Sequence, residues 1–430
     1  MDHELDSATK KAIMPNASAT LPGSESLDSP SEIYIDPVQE KKVMKKFDLY
    51  VIIPMGILYL MSNLDRSNLA WITNYKGLYA CRLLIGLFEA GLIPCINVYI
   101  GWVYKKSERG QRSSFIFAFS AFSSAFGGVL AFGLTQIKTS SFEGWRWLFA
   151  VEGIMTILFV PIFWFIFPKT PQTAWFLTDK EKELLKARYD ADPSWGQDDP
   201  FSWTEALKAF KDPKWYAFFA YQFSVNISLY GLTTFMPAIV RGLGYTSITA
   251  NLMTVPIFMC ALVFFLFLAY FSDKTGYRGP FLGIGLILLI IGYAILLSVD
   301  NLKVRFFASF VAALGIYPTT GLSIMWLQDN AAKYYKRATM VGFTLTLGNT
   351  AGVAVGQIFT SQSAPRYKPG LAIGLGLAVF ALVDVCILMV MFAWTNKKRA
   401  AKIVAAEQTG DPIAPNPDKG DYDVHFRYSL

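Results

Sequence analysis

Histidine is almost absent from this 430-residue chain: His3 and His425 are the only two, and both stand in polar ends. A proton carried through the apolar middle would therefore have to ride on a carboxylate. Cysteine is scarce as well. Cys81, Cys95, Cys260 and Cys386 sit singly in apolar blocks, without the spacing of a zinc site or a disulfide framework, and read as small packing residues. Charged residues make up only 17% of the chain, against about 25% in soluble domains. The first 46 residues carry no apolar run, which argues against a cleaved signal peptide; their Ser, Pro and acidic content predicts a disordered tail. No Walker motif, nucleophile elbow, metal-ligand cluster or dinucleotide fingerprint occurs, so neither an enzyme nor a cofactor or metal is expected. Nor is there a basic stripe interleaved with aromatics, which argues against nucleic-acid binding.

What is present is apolar. Hydrophobic residues make up 53% and aromatics 16%, and a helix needs about 20 such residues to cross a bilayer. Ten runs qualify, near 48–69, 77–103, 113–137, 146–168, 215–240, 248–272, 279–298, 304–328, 338–360 and 371–395. The reading is an all-α polytopic membrane protein. With the N-terminus inside, the inner segments hold 25 Lys and Arg and the outer loops 8; this asymmetry predicts that both ends are cytoplasmic. The +7 net charge thus reads as topology. The longest internal polar stretch divides the chain into a tail (1–46), a four-span bundle (47–168), a cytoplasmic linker (169–214), a six-span bundle (215–395) and a second tail (396–430). In the linker, Thr178 followed by Asp179 and Glu181 predicts a helix start.

Charges inside the spans carry the functional signal. A charged side chain at the bilayer centre costs roughly 2.5–3.5 kcal/mol on insertion scales, so such residues face cavities, partners or substrates. Arg82 and Glu89, seven residues apart, lie on one helix face about 10 Å apart. Asp65 and Arg66 stand near the end of the first run. In the second half, Gln222, Asn226 and Tyr230 recur every four residues, a polar stripe suited to a cavity wall. Gly348, Gly352 and Gly356 form a ridge for close helix approach, with Asn349 beside it as a hydrogen-bonding candidate. Glu152 and Asp384 read as structural.

From Asp36 to about Lys402 the chain resembles the major facilitator superfamily, within it the anion:cation symporters and their fungal allantoate, nicotinate and pantothenate permease-like branch. Leu64-Asp65-Arg66-Ser67-Asn68 matches the end of that family's first helix. Ala80-Cys81-Arg82 through Gly91 matches its fourth, and Gly144-Trp145-Arg146 through Gly153 its sixth. Asp273, Lys274, Gly276 and Arg278 resemble the superfamily's cytoplasmic loop motif. Trp326, Asn330, Lys336 and Arg337 resemble the loop before its eleventh helix. Such a protein has twelve spans in two halves of six. Here Lys76 follows Leu69 by only seven positions, so the second and third helices are expected to be missing, leaving a major facilitator fold of about ten helices, four plus six.

The resemblance implies a monomeric secondary transporter in the plasma membrane, a symporter taking up a small organic anion with a proton. Arg82 would anchor the anion and Glu89 carry the proton; Asp65 would be a second proton site and Arg66 a substrate contact. Two bland alternatives stand beside these: Arg82 and Glu89 as a structural pair, and Asp65 and Arg66 as an interfacial pair reaching for headgroups. For the chain as a whole, the alternative is an inactive truncated form or a non-transporting nutrient sensor.

Overall fold

The computed structural model describes residues 36–65, 74–137, 144–190, 202–242, 244, 247–364, 366–410 and 413–430. Among them there is no strand, and ten helices are long and apolar enough to cross a membrane. Four precede the polar linker: α1 (Pro37–Leu64), α2 (Tyr75–Gly101), α3 (Glu108–Leu134) and α4 (Arg146–Ile166). The linker contributes two short helices, α5 (Asp179–Asp190) and α6 (Trp203–Lys208). Six spans follow: α7 (Pro213–Arg241), α8 (Thr249–Thr275), α9 (Gly279–Ser298), α10 (Leu302–Asp329), α11 (Tyr335–Ile358) and α12 (Lys368–Gln408).

The first helix starts at Pro37, not near residue 48, so the end of the expected disordered tail is helical. The signal is local. Asp36 caps the helix by accepting from the Val38 N–H at 2.9 Å, and Pro37 takes the first-turn position where its missing N–H costs nothing. The charged turn survives because its apolar side, Val43, Met44 and Phe47, is buried. Its charges also find partners: Glu40 meets Lys105 and Arg188, both at 2.9 Å, and Lys46 meets Glu181 at 2.8 Å. Arg188 is fully buried and also pairs with Glu108 at 2.6 Å, which fixes α5 to the first half. At the start of α5, where the sequence predicts one, Glu181 reaches back and accepts from the Thr178 N–H and hydroxyl.

The halves are unequal in core. One continuous cluster runs through α7 to α12 and takes in Ala118, Ala121 and Ala125 of α3. The first half has two separate patches, one at the linker end and a small one around Leu60, Met61 and Leu64. Of the apolar window of α10, 83% is buried; of that of α2, only 12%. Helix α2 is also broken by a turn at Ala90–Gly91, and none of its residues from Tyr75 to Glu89 is buried.

Close helix contact in the second half rests on α9 against α10. A Cβ built on Gly292 would lie 2.5 Å from Ala312 N, and one on Gly315 would lie 2.5 Å from Leu289 N, so neither position has room for a side chain. Gly315→Val is expected to force these backbones apart and cost about 1–3 kcal/mol or more, whereas Gly376→Ala on α12, where nothing lies within 4 Å, leaves stability unchanged. Thermal unfolding of the purified protein in detergent measures both; equal melting of the two variants would refute the close contact.

Candidate functional site

The four-residue spacing of Gln222, Asn226 and Tyr230 puts them on one face of α7, turned toward α10 and α11. Gln222 and Asn226 are buried, each 3% exposed, and buried amides need partners. Ser323 on α10 donates to Gln222 Oε1 at 2.8 Å. Gln222 Nε2 donates to Asn226 Oδ1 at 3.0 Å, and Asn226 Nδ2 to Asn349 Oδ1 at 3.3 Å. The Tyr230 hydroxyl donates to the same Asn349 oxygen at 2.8 Å. Both lone pairs of that oxygen are then taken, and the Asn349 amide N–H groups are what remains to meet an acceptor.

Asn349 is exposed and stands at a break in α11, where the helix Tyr334–Asn349 ends and Ala351–Ile358 begins. Irregular backbone at membrane depth is tolerated where it lines a cavity. The break is sealed locally, with Thr350 Oγ1 donating to Leu347 O at 2.6 Å. Gly348 is needed there, since a Cβ would sit 2.8 Å from Gln222 Cγ. The expected glycine ridge is real only at its start: at Gly352 a Cβ would reach Tyr230 at 3.6 Å, and at Gly356 nothing lies within 4 Å.

In the first half, Glu89 accepts a short hydrogen bond from Ser62 Oγ, which joins α2 to α1. Arg82 lies exposed, two turns earlier on the same segment. Asp65 is the last described residue after α1, and Arg66 lies outside the described residues. The structure thus draws Gln222, Asn226, Tyr230 and Asn349 into one cluster and places Glu89 in a separate contact. Sequence reading missed Ser323 and Ser62. Their partners are 101 and 27 residues away, and an isolated serine in an apolar run carries no signal of its own.

The residues resembling loop motifs gather at the linker end. Arg278 pairs with Asp273 and, at 3.2 Å, with Asp329. Burial works against its charge, but the two carboxylates outweigh that and raise its pKa. Gly276 turns the chain in the left-handed region, φ +74°, and Lys274 is exposed. Gly110 of α3 lies so close that a Cβ there would strike the side chains of both Arg278 and Asp273. Gln328 Nε2 donates across the halves to Asn97 Oδ1 at 3.0 Å. Arg337 lines a small cavity with Arg109, Gly110 and Asp329. Asn330 Nδ2 donates to Trp326 O at 2.9 Å, and Lys336 pairs with Asp212 at 2.6 Å. A wide concavity lies elsewhere, on the outer face of α12, and its lining, which includes Leu382, Cys386, Val390 and Trp394, is almost wholly apolar.

The sequence pattern described as Major Facilitator Superfamily matches residues 50–357. The high-affinity nicotinic acid transporter of Saccharomyces cerevisiae is 30% identical over 491 residues, covering 99% of this chain and 90% of that protein. An uncharacterized transporter of Schizosaccharomyces pombe is 33% identical over 464 residues, covering 93% and 92%. Among solved structures, the proton:xylose symporter XylE of E. coli shares the fold, with a TM-score of 0.57 at 18% identity over 80% of each chain. The chain belongs to the Major Facilitator Superfamily and is a membrane transporter of that type, not an enzyme.

Proposed function

We propose that this chain is a proton-coupled carrier for uptake of a small organic anion, a vitamin, ureide or other carboxylate such as nicotinate, allantoate or pantothenate. The observation that carries the reading is the likeness, along 99% of the chain, to a transporter of nicotinic acid. The chemistry agrees with it. Arg82 offers a planar fork for a carboxylate, and the Asn349 amide, backed by Gln222, Asn226 and Tyr230, offers N–H donors from the other half. Glu89 takes and releases the proton, with Asp65 as a second proton site and Arg66 as a further anion contact. The carrier is a monomer of the plasma membrane, as the family resemblance implies, and the 25 to 8 division of Lys and Arg supports cytoplasmic placement of both ends. Rocking of the two halves about a midplane site gives alternating access.

Labelled nicotinate, allantoate and pantothenate are to be offered to yeast lacking its own uptake systems, with and without a proton uncoupler. Uncoupler-sensitive accumulation of at least one of them is expected. Glu89→Gln keeps the shape but removes the titratable group, so it is expected to reduce accumulation to passive equilibration while leaving substrate exchange largely intact. Equal loss of accumulation and exchange, or loss of neither, would remove Glu89 from the coupling step.

A second reading, an inactive truncated form or a nutrient sensor, has an observation of its own. The alignment to the nicotinic acid transporter runs over 491 residues, more than the 430 of this chain, so that relative contains stretches with no counterpart here. The bare surface of α2 from Tyr75 to Glu89 agrees with two helices lost between Leu69 and Lys76. Inserting the corresponding helix pair of a twelve-span relative at that point is expected to raise uptake strongly over the present chain. Equal uptake by both forms would show that the insert is dispensable and that the 430-residue chain is a competent carrier.

A further inference from the structure

Residues 413–430 do not trail away from the bundle. They return across the linker end of the second half and bury Asp421, which is 2% exposed. Its carboxylate lies between two amines: Lys336 Nζ donates to Oδ1 at 2.8 Å, and Lys214 Nζ makes a short bond to Oδ2. Both lysines also face Asp212, at 2.6 and 3.4 Å. Burial pushes the Asp421 carboxyl up, but the two lysines outweigh it and hold it below the usual carboxylate range. A depressed carboxylate keeps its stabilising charge above that range and loses it only in acid, so the contact holds at neutral pH.

The main chain of the same segment is read residue by residue. Asn396 of α12 brackets Tyr428, its Nδ2 donating to the carbonyl at 2.8 Å and its Oδ1 accepting from the N–H at 2.9 Å. Asn330 brackets Ser429 in the same way, at 3.3 and 2.8 Å, and Trp326 Nε1 adds a bond to Ser429 O at 2.9 Å. Arg399 donates to the carbonyls of Phe426 and Asp421, both at 2.8 Å. The Tyr428 ring stacks on Phe392 at 4.8 Å between centroids. Paired main-chain bonds together with side-chain pockets are how an extended peptide is bound.

The segment finishes on the contact between the halves. The Arg278 N–H donates to Leu430 O at 2.5 Å, and the Arg278 side chain is the one that abuts Gly110 of α3. We propose that residues 413–430 are an internal peptide ligand of the second half, and that their seating favours the state shut at the linker end. The site takes an acidic peptide with an aromatic near its end: one carboxylate between two ammonium groups, one ring on Phe392 and two bracketed peptide units. A rocking carrier must open this end once per cycle. A ligand that grips Arg278 in the shut state shifts the balance by its difference in affinity for the two states, and opening loosens the ligand by the same factor.

Ser114 reports on this opening, being 2% exposed and bonded to Met325 Sδ at 3.2 Å across the halves. In full-length protein with the four native cysteines replaced, Ser114→Cys is labelled with a maleimide in the presence and absence of Asp421→Lys. The same is done with the chain ended at residue 410, alone and with a synthetic peptide of residues 411–430. Both changes are expected to speed labelling roughly tenfold, within the usual range of coupling, and the added peptide to slow it again. Ser228→Cys, inside the second half and 1% exposed, is expected to stay unlabelled throughout. Unchanged labelling at Ser114→Cys, or no effect of the peptide, would overturn the proposal. So would a parallel rise at Ser228→Cys, which would make the segment part of the bundle's core.

Discussion

The two halves are held together chiefly by the seam between α3 and α8, and what either half can do relative to the other depends on it. In a bilayer, lipid is as apolar as leucine, so helices associate through close packing and polar contacts. The seam uses both. Ala118, Ala121 and Ala125 of α3 enter the core of the second half. Gly128 lies against α8 so closely that a Cβ would come within 3.0 Å of Asn251 O. Small residues along the length give a smooth surface to pivot on. Polar contacts stand at the linker end, in Gln328 with Asn97 and in Arg278 and Asp273 against Gly110, and one lies midway, where the Tyr317 hydroxyl donates to Ser124 Oγ at 3.1 Å. Such a division of labour suits a hinge with a latch at one end.

The first half is organised differently from the second because it has less to bury. Its linker end is fixed largely by charge: Arg188 with Glu40 and Glu108, Lys46 with Glu181, and Arg112 with Asp48 at 2.8 Å. Exposed ion pairs contribute about 0–1 kcal/mol each, so most of these set position more than stability. Arg188 is the exception, because a fully buried guanidinium that lost a carboxylate would leave an uncompensated charge. In α2, Glu89 accepts from Ser62, and none of the residues from Tyr75 to Glu89 is buried.

Much of this was legible in the sequence where the signal is local. The ten spans follow from apolar runs, and the start of α5 from Thr178 to Glu181. The polar stripe of α7 could be read from its spacing, and Asn349 from its place beside Gly348. What was not legible depends on distant partners. The start of α1 was missed because its charges look soluble until Lys105, Arg188 and Glu181 are seen opposite them. The order of residues 413–430 was missed for the same reason, since Asp421 is 207 residues from Lys214.

The cluster around Asn349 shows how polar side chains satisfy one another in an apolar bundle. The Ser323 hydroxyl and then the Gln222 and Asn226 amides each donate to the next oxygen, ending on that of Asn349, so no amide oxygen in the chain of bonds is orphaned. The broken helix that exposes Asn349 would normally leave carbonyls unpaired, but Thr350 turns back on Leu347 and covers one of them. Gly348 then allows α11 to lie against Gln222, so the network is held by packing as well as by hydrogen bonds. The break is therefore stable on its own terms. Its open group, the Asn349 amide, is held in place by the bonds that Asn226 and Tyr230 donate to its oxygen, and a group fixed in this way would have little ordering cost to meet on binding.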